Sequence, residues 1–157
     1  MIYNNIDLTP IKLKAEAIIK RYYRYSVPPI ISNKAVQGEG FNVGIKHFSD
    51  SKVAELVRAT KTIFLTDDKE LIKLWGNFAI AHEMGHYYFD DRPIDAFYTS
   101  TLTNDKCDDE DKVANYFAVS LLLPDTLMHE WSWLDEGVFK SAFKIPQEGL
   151  TLKRQLS

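Results

Sequence analysis

The chain has a single cysteine, Cys107, which excludes an internal disulfide and leaves packing to supply stability. A lone thiol fits a reducing compartment and reads as an incidental loop residue rather than a redox or ligand group. Long apolar runs are also missing. The longest, near residues 119–123, falls far short of the roughly 20 residues that a bilayer requires, so no membrane contact through a spanning helix is expected. Residues 1–7 carry neither a basic region nor an apolar one and do not read as a secretory signal, so the expected location is cytoplasmic. Nor is there an excess of positive charge. A formal net charge of −3 gives no electrostatic basis for wrapping nucleic acid, and any such contact would have to be local. Internal repeats and low-complexity tracts are absent. What remains is an ordinary globular composition, with enough apolar and aromatic residues for residues 1–157 to bury one core as one domain.

Periodicity divides the chain into helical ends and a middle of short alternating runs. Thr9 and Pro10 resemble an N-cap and a first-turn proline, and Ile11, Ala15, Ile18, Ile19, Tyr22 and Tyr23 follow at helical spacing, predicting a helix to about Tyr25. Pro28 and Pro29 stop it. Between Ile30 and Thr66, runs such as Phe41, Val43, Ile45 and then Thr62, Ile63, Phe64, Leu65, punctuated by glycines, predict a small sheet. Thr66, Asp67 and Asp68 are capping candidates for a long helix carrying Leu71, Leu74, Trp75, Phe78, Ala79 and Ala81. Residues 90 to about 107 turn polar and are expected to form a loop across the mouth of any site on that helix. A further helix begins at Asp108, with Val113, Ala114, Phe117, Ala118, Leu121 and Leu122 on one face and Pro124 after its end. A short helix at about 126–133 and a helical tail at about 136–157 complete the chain. The tail, with Lys140, Lys144, Lys153 and Arg154 around the break at Pro146, resembles half of a helix-turn-helix. So few basic residues favour a packing element over a DNA-binding one.

The chemistry concentrates where histidine, otherwise scarce, occurs as a pair. Residues 82–86 read His-Glu-Met-Gly-His, at the end of the long helix. Histidines four apart differ by about 40° of rotation and one turn of rise, so both imidazoles can reach one ion from one helix face. Glu83 lies to the side of that pair, where it can touch a water on the metal instead of the metal itself. Zinc lowers the pKa of bound water to about 7, and a neighbouring carboxylate can take its remaining proton, so the pattern reads as metal-assisted hydrolysis with Glu83 as general base. A catalytic zinc ordinarily has three protein ligands. The next carboxylates are Asp108, Asp109, Glu110 and Asp111. Most of these are accounted for by the dipole of the helix they open. An acid one turn into a helix packed on the first is also where a third ligand would come from. Gly85 costs about 1 kcal/mol against alanine in a helix, which points to a close backbone approach by a second helix or a substrate. Tyr87, Tyr88, Tyr98 and Tyr116 are candidates to stabilise an oxyanion, or else core and rim aromatics.

Two stretches together, residues 82–87 (His-Glu-Met-Gly-His-Tyr) and residues 111–124 (Asp-Lys-Val-Ala-Asn-Tyr-Phe-Ala-Val-Ser-Leu-Leu-Leu-Pro), resemble the ImmA/IrrE family of metallopeptidases. Its members carry a His-Glu-x-x-His helix and then a helix reading acid, two residues, Ala, Asn, any residue, Phe, Ala and an apolar run closed by Pro. The resemblance implies an α+β, zincin-like fold, with the motif helix packed on a second ligand-bearing helix, a small sheet and a helical C-terminal tail. It implies a zinc-dependent endopeptidase, with Zn²⁺ or another divalent ion such as Mn²⁺ held by His82, His86 and Asp111, and with Glu83 catalytic. The family usually has glutamate at the third position. Aspartate is one methylene shorter, so either the helices pack closer or Glu110 supplies the carboxylate; Asp111 is favoured because it shares the inward face with Ala114, Phe117, Ala118 and Leu121. Asn115, one turn on, is suited either to hold a ligand histidine or to pack as a polar edge. The implied partner is a helix-turn-helix repressor, cleaved in the setting of mobile elements or stress. The alternative is a regulator that binds such a repressor without cutting it, for which Glu83 would have no use.

Overall fold

In a computed structural model, residues 2–3, 5–23, 27–100 and 108–156 are described; Cys107 and the side chain of Tyr98 lie outside this description. A short hairpin, β1 (Ile2–Tyr3) and β2 (Ile6–Asp7), leads into helix α1 (Thr9–Tyr22). The N-cap position of α1 is Leu8, which offers no side-chain cap, so Thr9 is the first helical residue rather than the cap, and its N–H is accepted by Asp7 Oδ1 at 3.0 Å. Helix α2 (Ser32–Gly38) follows, at the start of a region expected to be sheet throughout. Its seven residues are too few to show a helical period. Asn77 organises it, accepting from the Ser32 N–H at 2.7 Å and donating to the Ile30 carbonyl at 3.0 Å.

The sheet has four strands in the order β3 (Asn42–Lys46), β5 (Thr62–Thr66), β4 (Lys52–Val57), β6 (Ala96–Ser100). β3 and β5 run parallel, and β4 is antiparallel to both of its neighbours. β4 lacks the apolar alternation that marks a strand because Val53, Ala54, Glu55 and Leu56 are all buried. Glu55 is tolerated there because Lys46 reaches it at 3.0 Å. β6 corrects the expectation of an uninterrupted loop over 90–107: its phenylalanine, tyrosine and threonine add a strand to the sheet edge.

Helix α3 (Lys69–Phe89) crosses beneath the sheet, with Asp68 Oδ1 accepting from the N–H groups of Glu70 and Leu71 at its start. Helix α4 (Asp109–Leu122) covers its other side, and α1 packs in turn on α4. α3 is thus flanked by β4 and β6 and by α4, and from Trp75 to His86 every side chain but that of Asn77 is buried. Trp75, Phe78, Met84 and Phe117 lie in this layer, where burial of each contributes roughly 1.5–3 kcal/mol. α5 (Asp125–Glu130), α6 (Glu136–Phe143) and α7 (Gln147–Gln155) close the chain, with α7 against α4. Lys144 turns between α6 and α7 in the left-handed conformation, at φ 49°, and the rings of Phe139 and Phe143 stack at 4.2 Å. Among the described residues, no helix is long and apolar enough to cross a membrane.

Candidate metal centre

His82 and His86 leave α3 one turn apart, and both are buried. Their Nε2 atoms are 3.0 Å from each other. Asp111, in the first turn of α4, brings Oδ1 to 3.1 Å from His86 Nε2 and 3.8 Å from His82 Nε2. A point about 2 Å from all three atoms exists, and this is the bond length of zinc to nitrogen and oxygen, roughly 2.0–2.2 Å. Among the described residues these three side chains are the one group of histidine, cysteine and carboxylate whose ligand atoms all lie within 4.8 Å of one another. Glu110 is not part of it. Adjacent helical positions diverge by about 100°, so the residue that shares the inward face reaches the histidines and its neighbour does not.

The outer nitrogens of both rings are held. His82 Nδ1 lies 2.7 Å from Asn115 Oδ1, and His86 Nδ1 lies 2.8 Å from Asp90 Oδ2. Asparagine and aspartate oxygens accept, so each ring donates from Nδ1; this leaves the His82 Nε2 lone pair free, and frees that of His86 once the proton it shares with Asp111 is displaced. Asn115 is thus brought to His82 by its place on α4. Asp90 is a partner that the sequence motifs do not name. It follows His86 by four residues, at the spacing that joins His82 to His86, and a scan for acids on the histidine face would have found it. The ring of His86 also stacks on Phe97 of β6, with centroids 5.0 Å apart and planes 20° apart.

Charge in the site follows from burial and these neighbours. Burial, and then the proximity of His86, push the His82 pKa down, so His82 is neutral and ready to ligate. Burial alone would lower His86 as well, but Asp111, Glu83 and Asp90 outweigh it and raise its pKa above the ordinary histidine value. Asp111 is driven up by burial, yet the hydrogen bond from His86 and the proximity of the two histidines leave it below the usual carboxylate range. Asp90 is likewise buried, but hydrogen bonds from Arg92 and His86 hold it at about 2. A buried neutral imidazole, a second imidazole among carboxylates and an ionised aspartate make up a donor set that a divalent cation fits. Glu83 is wholly buried one residue from His82, and its charge is felt at His86.

The helices meet at Gly85. A Cβ added there would lie 2.8 Å from Ala114 Cα and 3.1 Å from the Ala114 carbonyl oxygen. The second helix, three residues on from Asp111, is therefore what Gly85 admits, and this close crossing brings the short aspartate within reach of the histidines. The tyrosines give no hydroxyl to the site among the described residues. Tyr88 donates to Glu39 at 2.9 Å, Tyr87 packs edge-on against Phe41, and Tyr116 lies buried beside Ser120.

Comparison with the curated proteins gives no significant match. The family model described as the IrrE N-terminal-like domain of a peptidase family matches residues 37–150, a span from the end of α2 into α7 that contains all of the sheet, α3 and α4. With the paired motifs inside that span and an α+β fold in which they face each other, the chain belongs to the ImmA/IrrE family of metallopeptidases.

Proposed function

We propose that this protein is a zinc-dependent endopeptidase in which His82, His86 and Asp111 hold the metal and Glu83 acts as general base. The observation that carries the reading is the convergence of the two Nε2 atoms and Asp111 Oδ1, with both Nδ1 atoms already held by Asn115 and Asp90. Bound there, Zn²⁺ would supply an acidified water and polarise the scissile carbonyl. Glu83 takes the proton of that water and returns it to the departing amide nitrogen. Asn115 and Asp90 keep the two rings from rotating, so both lone pairs stay directed at one point.

The substrate proposed is a helix-turn-helix repressor, a reading that family membership supports. The basic residues of the tail support protein over DNA as the target. Lys153 pairs with Asp125 at 2.6 Å and Arg154 with Glu136 at 3.3 Å, so two of the tail's four basic residues are matched by acids of this chain rather than directed to phosphate. The test is incubation of the zinc-loaded protein with helix-turn-helix repressors of its own genome, followed by mass spectrometry of the products. New termini at one peptide bond are expected. Tight binding with no new termini would favour the non-cleaving regulator instead.

A further inference from the structure

We propose that Arg92 is a positioning residue that sets the separation of His86 from Asp111, and through it metal affinity, by joining Asp90 to Asp108. The inference rests on the metal-site reading above and goes beyond it, since Arg92 touches none of the three ligand atoms.

Arg92 follows α3 on the turn toward β6. Its Nε lies 2.9 Å from Asp90 Oδ1 and its Nη2 lies 2.6 Å from Asp90 Oδ2, a two-pronged grip on the carboxylate that receives the His86 Nδ1 proton. The remaining arm, Nη1, donates to Asp108 Oδ2 at 2.8 Å. Asp108 is the N-cap of α4, and its other oxygen accepts the backbone N–H of Asp111 at 2.8 Å. The connections form a closed ring: His86 to Asp90, Asp90 to Arg92, Arg92 to Asp108, Asp108 to Asp111, and Asp111 Oδ1 back to His86 Nε2 at 3.1 Å. One guanidinium therefore spans the two helices that supply the ligands.

The two ends of the ring are not equally secured. Asp90 is buried, and Arg58 donates from Nη2 to both the His86 and the Asp90 carbonyls, fixing the end of α3. Asp108 is about half exposed and its carboxylate is tied to α3 through Arg92. The part Arg92 holds is thus the first turn of α4. That turn carries a ligand with one methylene less than glutamate, so a small displacement of it cannot be absorbed by a longer side chain. Lysine would keep the charge but could not grip one carboxylate with two nitrogens while reaching the other with a third.

The test uses Arg92→Ala, Arg92→Lys and Asp108→Asn in the full chain. Asparagine caps helices about as well as aspartate, so Asp108→Asn removes the link while keeping the cap. Zn²⁺ affinity is read by chelator competition, ligand geometry by visible absorption of the Co²⁺-loaded protein, and folding by thermal melting of the metal-free protein. Each variant is expected to lose about 10- to 100-fold in Zn²⁺ affinity and to alter the Co²⁺ spectrum, because groups behind the ligands carry effects of that size. Metal-free melting should move little for Asp108→Asn, which removes only the partly exposed Arg92–Asp108 pair, whereas the Arg92 variants also loosen the buried Asp90 and should melt lower, so Asp108→Asn separates metal affinity from folding. The double variant Arg92→Ala with Asp108→Asn should lose no more than either alone, and Arg92→Lys should not rescue. Variants that bind Zn²⁺ as tightly as the wild type, with its Co²⁺ spectrum, would overturn this inference alone. A wild-type chain that binds no Zn²⁺ would overturn it together with the proposed function. Should Arg92→Ala not fold, Asp108→Asn carries the same comparison.

Discussion

Gly85→Ala tests whether the close helix crossing is what allows an aspartate to serve as third ligand. Judged by helix propensity alone the change should stabilise α3 by about 1 kcal/mol. The crossing opposes it. The new methyl would stand 2.8 Å from Ala114 Cα, whereas carbon atoms settle at about 3.5–4.0 Å, so α3 and α4 would have to part by on the order of 0.7 Å or more. Forcing a methyl into a packed interface costs about 1–3 kcal/mol, so a net loss of about 1 kcal/mol is expected in urea unfolding of the metal-free protein. Asp111, on the same turn of α4, recedes from His86, and Zn²⁺ affinity should fall by about 10-fold. Two further variants make the reasoning specific. Ala114→Gly should not rescue, because the collision is with the Ala114 backbone. Asp111→Glu in the Gly85→Ala background should recover metal affinity, since the longer side chain spans the widened gap. A Gly85→Ala protein that is about 1 kcal/mol more stable and binds Zn²⁺ as tightly as the wild type would refute the argument.

Asp111→Ala should abolish tight Zn²⁺ binding while Glu110→Ala leaves it within a few-fold of wild type, as followed by metal titration; the reverse result would move the ligand to Glu110. The raised His86 pKa means that metal displaces a proton there, so Zn²⁺ affinity should weaken as pH falls through that value, and isothermal titration in buffers of different ionisation enthalpy should show proton release. Asp90, lowered from 3.8 to about 2, stabilises the fold fully above its unfolded value and loses that contribution as pH falls from 3.8 toward 2. The amount is on the order of 2 kcal/mol, and the stability of Asp90→Asn should be correspondingly less sensitive to acid over that window.

The parts of the site legible in the sequence are those whose chemistry is local. His82, Glu83 and His86 sit on one helical stretch whose apolar spacing and capping aspartate are explicit, and α3 runs from Lys69 as Asp68 directs. The acidic start of α4 was equally plain, and the inward face defined by Ala114 and Phe117 favours Asp111. What was not legible depends on partners distant in the chain. β4 shows no alternation because it is buried throughout, and α2 is held by Asn77, more than 40 residues away. β6 had aromatic and β-branched residues, but too few to outweigh the polar turn before them. Arg92 looks like one more charged residue in that turn until the fold brings Asp108 to it, 16 residues on.

For the proposed chemistry, the decisive pair of readings is metal content and peptide hydrolysis from the same preparation of Glu83→Gln. Glutamine keeps the shape of the side chain and cannot take a proton, so zinc should remain near about one ion per chain while hydrolysis falls by about 10²- to 10⁴-fold, the usual contribution of a general base. A Glu83→Gln protein that cuts at the wild-type rate, or one that loses its metal, would contradict the role given to Glu83.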